Sequence, residues 1–251
     1  MANQTNIEKI VPGIIKSIST ITKNDENKAF KKVIPSLIRK GLDSVNLSMF
    51  NEETKQALLD AAGEEYFKKG RINEAVKAFI ITNNKVKLTE IGDYYVSVNL
   101  YDKAIDVYTH AANKEKLVKV GDRCLKEGHL HEAIKAFITA NDREKLIKVG
   151  EECIEKQKVG AAIEIFAALN DKEKLIKVGE LCLKNGELDD AAGAFKFADD
   201  KERLNNVGDT YLKEDSLKEA LFIYELAENS TMIEFIKENF SNELKKKWDN
   251  E

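Results

Sequence analysis

Three sets of residues in this 251-residue chain have the types and spacing to do chemistry. Cys124, Cys153 and Cys182 recur at one fixed interval. Thiols spaced in this way could bind a metal or exchange electrons, yet no C-x-x-C occurs and the ligand spacing of a zinc site is missing. Tyr66, Tyr95 and Tyr211 occupy the same place in the period, which points to packing rather than reactivity. The histidines are His110, His129 and His131. His129 and His131 flank a turn beside Glu132, with no nucleophile patterned near them, so a surface position is expected. The third set is Glu64, Asp93, Asp122, Glu151, Glu180 and Asp209, one carboxylate per 29-residue step. One reading is an acidic partner-binding ladder, facing a groove that takes a basic or amphipathic segment. The other is surface pairing within each helix at i, i+4: Asp122 with Lys126, Glu180 with Lys184, Asp209 with Lys213, Glu64 with Lys68. Where the lysine is replaced, by Ser97 and Glu155, the acid is kept. No phosphate loop, dinucleotide fingerprint, H-E-x-x-H or G-x-S-x-G is present. The sequence thus offers no catalytic residue, cofactor site or metal site, and a non-enzyme is expected.

An internal repeat sets these residues at one interval. Val120–Lys148 reads VGDRCLKEGHLHEAIKAFITANDREKLIK. The stretches starting at Val149 and Val178 follow it without insertion, and weaker copies start at Ala62, Ile91 and Val207. A fixed period of this size is the signature of stacked supersecondary units. Within one unit, Leu117, Val120, Gly121, Cys124 and Leu125 fall at i, i+3, i+4, i+7 and i+8, one face of a helix. Gly128 follows as a left-handed C-cap. Gly70, Asn99, Gly186 and Asp215 hold that place elsewhere, whereas Gln157 departs from it, with Gly160 expected to take over the turn. Leu130, Ala133, Ile134 and Phe137 mark a second helix, and Asp142 is placed to cap the next one. Each unit is therefore a helix of about 14 residues, a tight turn and a helix of about 10. Gly63, Gly92, Gly121, Gly150, Gly179 and Gly208 share one register, in the first helix of each unit. Phe79, Tyr108, Phe137, Phe166, Phe195 and Tyr224 share another, in the second helix. Small against large at fixed register is what a repeating core requires.

From Gly121 the pattern runs Cys124, Gly128, Leu130, Ala133, Phe137 and Ala140. These offsets resemble the tetratricopeptide repeat, and the likeness extends from Ala62 to about Asn229. The 29-residue period is shorter than the family's, and the family's proline and early tryptophan are absent. The chain is thus similar to a shortened member, and also to the helical-hairpin repeats of clathrin and intraflagellar-transport subunits. The resemblance implies an all-α fold: a right-handed superhelix, or solenoid, of six hairpins whose first helices line a concave face, where the acidic ladder would lie.

The expected organisation is a helical cap over 1–58, tandem hairpins over 59–229 and a capping helix over 230–251. In the first region Ile7, Ile10, Val11, Ile14, Ile18 and Ile21 follow helical spacing, as do Phe30, Val33, Ile34, Leu37 and Ile38. Residues 1–58 carry nine Lys/Arg against six Asp/Glu, and the remainder 31 against 38. With a net charge of −4 and only weak basic patches (Lys31, Lys32, Arg39, Lys40; Lys245–Lys247), nucleic acid is not an expected partner. No apolar run is long enough to cross a bilayer as a helix, so no membrane insertion is expected. An odd cysteine count and no recognisable leader point to a reducing compartment, the cytoplasm. The expected function is a scaffold or adaptor that holds a protein partner's segment in the groove. A subunit that self-associates through its ends or edges is the alternative, and an enzyme with an unrecognised site in the N-terminal region a second one.

Overall fold

The computed structural model describes residues 51–240 and Ile34. The remainder of the expected N-terminal cap, the basic patches and residues 241–251 of the expected capping helix lie outside the described residues. Among those described there are thirteen α-helices and no strand. They are α1 (Glu52–Lys68), α2 (Ile72–Ile81), α3 (Lys85–Ser97), α4 (Tyr101–His110), α5 (Lys114–Glu127), α6 (Leu130–Ala140) and α7 (Arg143–Glu155). There follow α8 (Val159–Ala168), α9 (Lys172–Asn185), α10 (Leu188–Ala198), α11 (Lys201–Lys213), α12 (Leu217–Leu226) and α13 (Ser230–Asn239). The chain forms two compact units, Met1–Val120 and Gly121–Glu251, divided inside α5. In the first, α1 packs on α2, α2 on α3 and α3 on α4. In the second, each helix from α6 to α13 packs on the next, and α8 also touches α6 and α10.

The periodic glycines explain how each hairpin closes. A Cβ built on Gly121 would lie 2.6 Å from the Phe137 ring, and one on Gly179 2.5 Å from Phe195. Gly63, Gly92, Gly150 and Gly208 meet Phe79, Tyr108, Phe166 and Tyr224 in the same way. All six rings are almost fully buried, as are the leucines of the first helices, Leu59, Leu88, Leu117, Leu146, Leu175 and Leu204. Glycine inside a helix costs about 0.8–1 kcal/mol against alanine, and here the ring's burial offsets it.

Both kinds of turn are left-handed. After the first helices Gly70, Asn99, Gly128, Gln157, Gly186 and Asp215 have positive φ. Gln157 itself adopts φ +56°, and Gly160 sits inside α8 without positive φ, which corrects the expectation that Gly160 takes over this turn. Packing of α7 on α8 sets the turn, and the side chain follows. After the second helices Asn83, Ala112, Asn141, Asn170, Asp199 and Glu228 adopt it too. The first helices then start on side-chain caps. Asn84, Asp142, Asp171, Asp200 and Asn229 accept from the backbone N–H three residues on. Leu125, expected on the core face, is 37% exposed. The last described helix, α13, ends at Asn239, with Ile236 its buried residue.

Candidate binding surface

The carboxylate ladder lies along the first helices, partly exposed. Its partners sit not one turn on but one hairpin on. In the first unit, Lys87 Nζ lies 3.6 Å from Glu64 Oε1, and Lys116 Nζ 2.6 Å from Asp93 Oδ1. In the second, Lys145 bonds Asp122 at 2.6 Å, Lys174 bonds Glu151 at 2.5 Å, and Arg203 bonds Glu180 at 2.9 Å. Each pair joins consecutive first helices, where the i, i+4 reading would have kept it within one. The cation also covers the ring that fills the glycine gap: Lys145 Nζ is 5.6 Å from the Phe137 centroid, and Lys174 5.5 Å from Phe166. At Asp209 the register of the cation is taken by Met232, and Asp209 accepts from Tyr224 Oη at 2.5 Å. Asp93 likewise accepts from Tyr108 Oη at 2.6 Å. A buried ring that carries a hydroxyl needs an acceptor, and at both tyrosine positions the ladder residue is aspartate. Partial burial pushes the Asp93 carboxyl up, but the bonds from Lys116 and Tyr108 and the charges of Lys116 and Lys119 outweigh it and hold the carboxyl below its ordinary range. Burial, then the bond to Asp93, pushes the Tyr108 hydroxyl well up, so it stays protonated.

The other two candidate sets have no such arrangement. Cys124, Cys153 and Cys182 are buried and form no disulfide. Burial pushes Cys153 up and Cys182 up to about 11, so both remain protonated at neutral pH. His110, His129 and His131 are exposed, and His131 Nδ1 lies 3.9 Å from Glu164. Among the described residues no group of three or more His, Cys, Asp or Glu is placed to hold a metal ion. No described helix is long and apolar enough to cross a membrane.

A further set of surface residues was legible in the repeat but is not part of the ladder. Val86, Tyr94, Val98 and Leu100, in α3 and the turn after it, are 41–69% exposed. One unit on from Val86 stands Glu115, then Glu144, Glu173 and Glu202. The register of Tyr94 elsewhere holds Glu65, Arg123, Glu152, Leu181 and Thr210. Charged and polar residues, with no apolar exception, occupy the registers of Val98 and Leu100 in the other hairpins. Comparison of the units with one another exposes this departure, whereas reading each unit for its shared pattern hides it. Val86 lines a depression of about 490 Å³ with the ladder residue Asp93. Glu64, Lys87 and Phe67 line a smaller one of about 90 Å³. Tyr94 meets the Phe67 ring edge-on at 6.0 Å and so lies between α1 and α3. In the first unit, therefore, exposed apolar groups and two paired ladder acids share one surface.

No protein-family model matches the chain, and no curated protein matches it significantly in sequence.

Proposed function

We propose that the protein is a non-enzymatic interaction scaffold that holds a peptide or helix of a protein partner along its first helices. The observation that carries this reading is the surface of α1 and α3. There Val86, Tyr94 and Phe67 lie beside Glu64 and Asp93, and the positions equivalent to Val86 and Tyr94 are charged or polar in most of the other hairpins. An amphipathic segment would bury its apolar side chains on Val86 and Tyr94, and its cations would compete with Lys87 and Lys116 for the ladder acids. Because those acids already carry partners, the ladder contributes orientation more than net attraction, and apolar burial contributes most of the affinity. The same reading takes the helical hairpins as six tetratricopeptide-like units of a solenoid, supported by the 29-residue period and the recurring glycine–ring contacts.

The test is affinity capture from native lysate with three baits. One is the intact chain, one carries Val86→Glu and Tyr94→Arg, and one carries Asp93, Asp122, Glu151 and Glu180 changed to Lys. The first pair of substitutions installs residues that Glu115 and Arg123 already represent at those registers, so folding is preserved. A protein retained by the intact chain and lost on Val86→Glu/Tyr94→Arg supports the reading. Equal retention by all three baits removes it.

A further inference from the structure

Six helical glycines are accounted for by the rings they face; Gly193 is not. It lies inside α10, where glycine is disfavoured, and a Cβ there would meet nothing within 4 Å. Gly193 borders a depression of about 300 Å³ on the second unit. Asp189, Ala192 and Lys196 of α10 line one side of it, and Phe222 and Leu226 of α12 the other. One 29-residue step links Gly193 to Phe222. At that register the other hairpins carry Lys77, Asp106, Lys135 and Glu164, charged in each case. On α10 and α12 the charge is gone. One helix has no side chain there, and the other has a ring that is 57% exposed. A gap and a projecting ring thus stand at one level of neighbouring second helices.

A second register sets the same two helices apart. Lys196 and Glu225 lie one step from each other, where the other hairpins carry the uncharged Ile80, Thr109, Ile138 and Ala167. Both charges are exposed. Lys196 has no ion-pair partner among the described residues, and Glu225 meets Lys237 only at 4.0 Å. Asp189 and Lys218 form another couple one step apart, again opposite in charge.

A shape and its complement on one face are what a two-fold contact requires, because residue i of one copy then meets j of the other while j meets i. Both helices are second helices of consecutive hairpins and run side by side along the depression. A two-fold axis along that groove lays α10 of one copy over α12 of the other in the same direction, so that equal registers face each other. Phe222 then enters the depression beside the other copy's Gly193, Lys196 meets Glu225, and Asp189 meets Lys218, each contact occurring twice. The like-charged couple at this level, Asp190 and Glu219, has Lys218 next to it.

We propose that two copies of this chain associate through α10 and α12, each inserting Phe222 beside the other's Gly193, with Lys196 paired to Glu225 across the contact. The contact belongs to the second unit and does not involve the partner surface of α1 and α3, and its test reads mass rather than capture.

Sedimentation equilibrium of the full chain, from micromolar to hundreds of micromolar, is the experiment. The weight-average mass is expected to rise reversibly from the 28.3 kDa of one chain towards twice that value. Gly193→Lys fills the depression with the side chain that Lys77 and Lys135 carry at this register. It is expected to hold the mass at one chain, with circular dichroism unchanged. Lys196→Glu and Glu225→Lys are each expected to weaken association about tenfold or more, since like charges then face each other twice. Mixed in equal amounts, these two variants are expected to associate as the parent does, because both couples of the mixed pair are again opposite in charge. Val86→Glu, in the other unit, leaves the mass curve as in the parent. A parent chain that stays at one mass throughout overturns the proposal. So does association that Gly193→Lys leaves intact, or that the mixture fails to restore. Growth beyond two copies overturns it as well, since a two-fold contact closes on itself.

Discussion

The hairpin α3–α4 and the hairpin α7–α8 have the same interior and different exteriors. Gly92 faces Tyr108 as Gly150 faces Phe166, and Leu88 and Leu146 are equally buried. Outside, Val86, Tyr94, Val98 and Leu100 stand where α7 and its turn place Glu144, Glu152, Lys156 and Lys158. Packing against the next helix constrains the interior of every unit, because its volume must be filled without void or overlap. Nothing in the fold constrains the exterior, so a departure there is where recognition can reside.

The comparison breaks most severely at the shared interior. Phe166→Ala is expected to cost about 3–5 kcal/mol, read as a fall in the urea midpoint, because the ring fills the gap that Gly150 leaves. Next comes a pair of identical substitutions with opposite signs. Gly179→Ala places a methyl 2.5 Å from the Phe195 ring and is expected to destabilise by about 1–3 kcal/mol. Gly193→Ala meets open space and is expected to stabilise by about 0.5–1 kcal/mol. Equal effects from the two would show that the glycine register has no packing role. A third substitution sharpens the turns. Gln157→Gly relieves a left-handed residue that bears a side chain and is expected to raise stability by about 1 kcal/mol. At the exterior, Val86→Glu is expected to shift the midpoint by no more than about 0.5 kcal/mol.

The smallest effect is electrostatic. The folded carboxyl of Asp93 titrates below its unfolded value of about 3.9, so it contributes stability above that pH and loses it as pH falls through the folded value. Asp93→Asn is therefore expected to lower stability slightly at neutral pH and to flatten the acid side of the profile below about pH 4, where variant and parent converge. Asp93 is 48% exposed and Lys116 34%, and solvent limits what the pair contributes. An unchanged acid limb in Asp93→Asn would show that the pair is not coupled to folding.

The ladder shows where reading along the chain stops. Asp122 and Lys126 stand at helical spacing, and nothing local distinguishes that pairing from Asp122 with Lys145. The second depends on α7 lying beside α5, and the structure has it at 2.6 Å. A repeat analysis could have found it, since Lys87, Lys116, Lys145, Lys174 and Arg203 themselves form a 29-residue series. Gln157 is the reverse case. Its residue type disfavours positive φ, and only the packing of α7 on α8 imposes it.

The sequence by itself determined the periodic order: helix lengths, the glycine and aromatic registers that face each other, the caps at Asp142 and its equivalents, and the burial of the cysteines. These follow from spacing, because a helix converts sequence interval into direction and a repeat applies the same interval to each unit. The tertiary structure decided which acid meets which base, which apolar side chains stay in water, and that Gly193 borders a depression where the six glycines of the first helices close on rings. Those outcomes depend on distances between helices far apart in sequence, which no local interval encodes.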